Sequence, residues 1–149
     1  MTPIVAAAEV HLKRGEIPKA RARLAAAAKV EPRAYEVLML TGRVLEREGR
    51  LAEALAAYEA AVDRNAANPH ARTAVVGVAT RINRWEVADR HLRRLLDVGY
   101  QPARTRYALG RVAQAQGRTA DAAAHYREAF RLEPGLEMAP QALQSLGIR

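Results

Sequence analysis

No cysteine occurs in the 149 residues. That excludes a disulfide framework, a thiolate metal site and thiol chemistry, and leaves the redox compartment open. Aromatic residues are scarce, at 5% with one Trp and one Phe. So small an aromatic complement suits thin helix–helix interfaces better than one thick core, and it offers few platforms on which nucleic-acid bases could stack. Ser145 is the only serine. There is no serine elbow, no glycine-rich phosphate loop and no His-Glu-x-x-His pattern, so the familiar nucleophile, nucleotide and zinc signatures are missing. His11, His70, His91 and His125 are scattered without a second ligand at helical spacing. We therefore expect no catalytic residue, no metal and no cofactor. No window alternates polar and apolar residues with β-branched enrichment, so no strand is expected either. No apolar run reaches bilayer-spanning length. The N-terminal stretch MTPIVAAAEVHLKRG has no basic leader and is interrupted early by Glu9; it reads as a first helix rather than a signal peptide, and the expected location is the cytoplasm.

What the chain does have is a period. Steps of 34 residues connect Ala20, Ala54, Ala88 and Ala122, and the same step connects Val10, Val44, Val78 and Val112. Two identical columns at one spacing indicate a stack of like units, each too small to bury its apolar face alone. The clearest copy runs from Ala108 to Pro134. Leu109, Gly110 and Ala113 lie on one face of a first helix, and Gly117-Arg118 breaks it. Ala122, Tyr126, Ala129 and Phe130 then recur at spacings of three and four, the stripe of a second amphipathic helix, until Glu133-Pro134-Gly135 stops it.

The earlier copies show the same plan with local changes. Pro3 opens the first helix, Gly15 ends it, and Pro32 closes the second. Tyr35 to Glu48 and Leu51 to Asn65 form the next pair. Asn68 caps a helix from Pro69 to about Ile82, partnered by Trp85 to Val98, with Trp85 as a core anchor near the turn. Asn83 replaces the turn glycine of the third copy, a substitution that tolerates the left-handed region. In the fourth, Thr119 is expected to cap the second helix. His91 and His125 lie one period apart on second helices and read as solvated surface histidines. Met138 to Leu146 forms a short final helix whose Ala139, Ala142, Leu143 and Leu146 share a face and would cover the last repeat, as the ends of repeat arrays require.

A helix, tight turn, helix and stop every 34 residues resembles the tetratricopeptide repeat, and the bacterial type of such protein in particular. That family's pattern has a Leu-Gly pair and an aromatic in the first helix, a small residue and an aromatic in the second, and a closing proline. Leu109-Gly110, Ala122, Tyr126, Ala129 and Pro134 match it. The resemblance covers residues 1–136, as repeats near 1–34, 35–68, 69–102 and 103–136, with a capping helix near 137–147. It implies an all-α, right-handed helical-repeat solenoid filling residues 1–149 as a single domain.

The resemblance also implies a function, that of a non-enzymatic scaffold that binds a peptide segment along the concave face lined by first helices. The residues expected to line that groove are Val5, Leu12, Met39, Arg43, Arg47, Arg81, Arg104, Tyr107 and Arg111, accompanied by the acids Glu9, Glu36 and Glu46. Its N-terminal end would be apolar and the remainder basic, which suits a ligand that is acidic and partly hydrophobic. The Lys, Asn and Arg cluster with which one subclass holds chaperone C-termini is absent from the matching positions. The net charge of +8 raises an alternative, a helical-repeat nucleic-acid binder with surface Arg on phosphates. Against it stand the few aromatics and the acids of the groove. Such arrays also lend themselves to self-association.

Overall fold

Each first helix ends the same way, and that ending sets the architecture. At Gly49 the backbone turns to φ 76°, a left-handed conformation that costs a glycine nothing. Gly49 N–H then donates to Glu46 O at 3.0 Å and Arg50 N–H donates to Leu45 O at 2.9 Å. This pair of bonds satisfies the orphan carbonyls of the helix end and redirects the chain. Asn83 takes the same role at φ 59°, with Arg84 N–H donating to Ala79 O at 2.8 Å, as the sequence leads one to expect.

A computed structural model describes residues 2–148. Among them are nine helices and no strand: α1 (Pro3–Lys13), α2 (Ile17–Val30), α3 (Tyr35–Arg47), α4 (Leu51–Arg64), α5 (Pro69–Arg81), α6 (Trp85–Asp97), α7 (Pro102–Ala115), α8 (Thr119–Leu132) and α9 (Met138–Ser145). The boundaries fall within a residue or so of the glycine, asparagine and proline signals. Asn68 accepts from His70 N–H at 3.0 Å. Thr119, by contrast, is the first helical residue of α8; Arg118 holds the cap position without a side-chain cap bond.

The chain divides into two compact bodies, residues 1–78 and 79–149. In the N-terminal body, α1, α2 and α3 share a core of Val5, Ala8, Leu12, Ala20, Leu24, Ala27, Val37, Leu40 and Val44, and α4 packs on α3. In the C-terminal body, Ala113, Ala122 and Tyr126 form a core against which Tyr107 and the α9 side chains Ala142, Leu143 and Leu146 pack. The last helix thus covers α8 as a cap. The alanine column is fully buried at all four positions. The valine column is buried at Val44, Val78 and Val112 but 45% exposed at Val10, and Phe130 of the α8 stripe is also largely exposed.

One contact explains the glycines inside the first helices. A Cβ built on Gly42 would lie 2.6 Å from Cδ1 of Tyr58, and one on Gly110 would lie 2.5 Å from Cε1 of Tyr126, whereas carbon atoms meet at about 3.5 to 4.0 Å. Each tyrosine ring therefore lies directly on helix backbone. In the first repeat the equivalent pair is Ala8 and Leu24, both in the core, where a smaller side chain leaves room for a methyl group. The same step of sixteen residues joins Val76 and Leu92 in the third repeat.

Gly42→Ala should therefore force Tyr58 off its site and cost roughly 1 to 3 kcal/mol. Adding Tyr58→Leu should recover part of that loss, because it recreates the Ala8–Leu24 arrangement. Denaturant melts of both variants check this; an additive double mutant would show that ring and glycine are not coupled.

Candidate functional site

Residues three and four apart share a helix face, so Arg104, Tyr107, Arg111 and Gln114 form one stripe along α7. Arg104, Arg111 and Gln114 are exposed and Tyr107 is half-buried. The stripe is held from beneath. Tyr126 of α8 packs its ring against Tyr107 with centroids 5.5 Å apart and planes inclined by 40°, and its hydroxyl donates to Oε1 of Gln114 at 2.7 Å. Burial pushes the Tyr126 hydroxyl above its ordinary pKa, with Tyr107 adding to the rise and Arg111 opposing it. It therefore stays a donor. No acid stands anywhere on α7, PARTRYALGRVAQA. Among the described residues neither Arg104 nor Arg111 has a carboxylate within ion-pair distance. Gln114 shares this face with Tyr107 and Arg111, as its helical spacing leads one to expect.

The equivalent stripe of α3 is Met39, Arg43 and Glu46, all half-buried, with Arg47 exposed at its end. Tyr58 of α4 donates to Oε2 of Glu46 at 2.5 Å, and burial, followed by this carboxylate, drives its hydroxyl pKa upward. Arg43 donates to Oε1 of Glu9 on α1 at 2.8 Å. Here the charges answer one another, so this face is close to balanced where α7 is basic. The pairing was readable in principle: Glu9 and Arg43 stand 34 residues apart, at the same position of consecutive first helices.

Val5 and Leu12 are not groove residues. Both are buried, at 3% and 2% exposure, because α3 packs alongside α1 and covers the positions that a lone helix would present. Val5 instead forms part of the wall of a cavity of about 170 Å³, which Ile4, Ala27, Val30, Ala34 and Val37 also line and Glu31 and Glu36 border. Arg81 is exposed at the end of α5. The expectation of solvated histidines on the second helices also fails. His91 is buried at 7%, and His125 is half-buried with Nδ1 3.4 Å from Arg106 Nη1. Trp85 is half-buried.

Among the described residues no group of three or more His, Asp or Glu gathers to hold a metal ion, and no helix is long and apolar enough to cross a membrane.

The Glu9–Arg43 pair decides whether Arg43 is available to a ligand. With side chains 28% and 36% exposed, the pair should contribute no more than about 1 kcal/mol. A double-mutant cycle with Glu9→Gln and Arg43→Gln measures the coupling; a value of several kcal/mol would mark Arg43 as structural and closed to a ligand.

A model of the tetratricopeptide repeat matches residues 5–69 and 78–137. A human relative, tetratricopeptide repeat protein 7B, is 28% identical over 134 residues, 90% of this chain; the chain spans only 16% of that protein's length. A tetratricopeptide repeat protein from Parabacteroides merdae superposes with a TM-score of 0.86 at 20% identity, over 96% of this chain and 57% of its own. The crystal structure of YrrB, described as a TPR protein with an unusual peptide-binding site, gives 0.81 at 17% identity, over 97% of this chain and 74% of its own. At such identities the likeness speaks for the fold.

Proposed function

The chain belongs to the tetratricopeptide repeat family, and on that premise we propose that it is a non-enzymatic adaptor that binds a segment of another protein, acidic and partly hydrophobic, on its first helices. The observation that carries the acidic preference is the α7 stripe, where Arg104 and Arg111 flank Tyr107 with no carboxylate to answer them. A guanidinium takes a carboxylate through two parallel hydrogen bonds, which fixes register as well as attracting charge. Tyr107, held against Tyr126, presents part of a ring that cannot turn away, and apolar contact with a preformed surface costs little ordering. Charge should set much of the association rate and apolar contact much of the affinity.

The α3 stripe supports a lesser and more neutral role, since Arg43 is engaged by Glu9 and Tyr58 engages Glu46. The acidic end of the ligand is therefore assigned to α7.

The test is direct binding of peptides that combine Glu with Leu, compared with the same peptides carrying Lys for Glu. The parent should prefer the acidic set, and Arg104→Glu with Arg111→Glu should weaken that binding at least tenfold, about 1.4 kcal/mol, with unchanged helical content because both side chains are exposed. Equal binding of both peptide sets would overturn the acidic preference. Binding to duplex or single-stranded nucleic acid should stay in the weak range of about 10⁻⁴ to 10⁻⁶ M and fall steeply with salt; nanomolar affinity at physiological salt would overturn the adaptor reading itself.

A further inference from the structure

Arg106 stands on α7 but not on its stripe. One residue from Tyr107, it lies about 100° away around the helix, turned toward α8. There its Nη1 approaches Nδ1 of His125 at 3.4 Å, and both side chains are half-buried. A partly buried guanidinium normally meets a carboxylate. This one meets a second base, which has to be neutral for its Nδ1 to accept.

The acids nearby do not supply the missing partner, because each is already committed. Asp89 of α6 accepts from Arg93 at 2.7 and 3.2 Å and lies 3.9 Å from Arg118. Asp121 of α8 accepts from Arg118 at 3.0 Å. Glu128 of α8 accepts from Arg131 at 2.8 and 2.7 Å. Arg93, Arg106, Arg118 and Arg131 thus face three carboxylates; Arg106 forms an ion pair with none of them and bears on Glu128 only through its field.

We propose that the niche between α7 and α8, formed by Arg106 and His125, is an oxyanion site that takes a phosphate group, either free or carried on a partner's side chain. It is separate from the peptide-binding stripe. A phosphate dianion, which forms with a second pKa near 6, can accept two hydrogen bonds from Arg106 and turn His125 from acceptor to donor by favouring its protonated form. A carboxylate carries half that charge and fits the paired cations less well.

The groups that bear on His125 are known from every element packed around it. Burial lowers its pKa most, followed by Arg106 of α7 and Arg93 of α6, while Asp121 of α8 and Asp89 of α6 pull the other way. A bound phosphate would reverse this balance, so binding and proton uptake are coupled. Each favours the other by the same factor.

The experiment follows the histidine rings by NMR against pH, in chloride and in inorganic phosphate at matched ionic strength, with the exposed His70 as internal reference. In chloride, His125 should titrate below the ordinary histidine value of 6.5. Phosphate should raise it by about half a pH unit or more, the mark of a roughly threefold tighter grip on the protonated form, and leave His70 in place. R106Q should abolish the phosphate effect and by itself raise the His125 value, because a positive neighbour has gone. R106K, which keeps the charge, should retain part of the phosphate response. A phosphoserine peptide that binds more tightly than inorganic phosphate, beside an inert unphosphorylated control, would assign the group to a partner protein; inorganic phosphate binding equally well would assign a free ion. A phosphate shift shared equally by His125 and His70, or no shift of His125 at all, would overturn the site.

Discussion

The contact on which much else depends is a tyrosine ring lying on bare helix backbone. Tyr58 on Gly42 and Tyr126 on Gly110 bring the two helices of a repeat closer than any side chain at the glycine position would allow. Close packing of this kind is sensitive to a single methyl group. It also does a second job at its far end, since the same rings carry hydroxyls that donate to Glu46 and Gln114 on the first helix. Each tyrosine thus fixes how near its partner helix lies and how that helix is rotated. The rotation in turn decides which residues of α3 and α7 are left for a ligand.

From that constraint the first-helix stripes of the two bodies diverge in charge. Both set a first-helix stripe above a buried tyrosine. On α3 the Arg of the stripe meets an acid from α1 and the Glu of the stripe meets the tyrosine hydroxyl, so little field remains to attract a partner. On α7 Gln114 replaces the acid and no glutamate stands opposite Arg111, so the guanidinium groups keep their reach. The human relative and the structural neighbours share the repeat at 17 to 28% identity, and one repeat fold can carry different sites.

The helices were legible because glycine, asparagine and proline punctuate them at a fixed period, and those residues act through backbone geometry that neighbours barely alter. Asn83 shows this well, holding its positive φ in a repeat that departs from the others at several places. The final helix was legible for a related reason: Ala142, Leu143 and Leu146 share a face that needs cover. Exposure was harder. Val5 and Leu12 sit at positions that face outward on a single helix, and only the neighbouring α3 buries them. His125 was misread because its partner is an arginine nineteen residues away, an association that no spacing rule anticipates. The glycine–tyrosine coupling itself was written in the sequence as a sixteen-residue step, with residue size at one end rising as it falls at the other in the first, second and fourth repeats.

Which arginines a partner touches decides where the binding face lies. Guanidinium Nε–Hε resonances report this directly, because each arginine side chain gives its own signal and a bound carboxylate moves it. On addition of an acidic, partly hydrophobic peptide that binds the full chain, the signals of Arg104 and Arg111 should shift together and saturably, while those of Arg127 and Arg131 on α8 stay where they are. Shifts confined to Arg127 and Arg131, with Arg104 and Arg111 unmoved, would contradict the assignment of the binding face to α7.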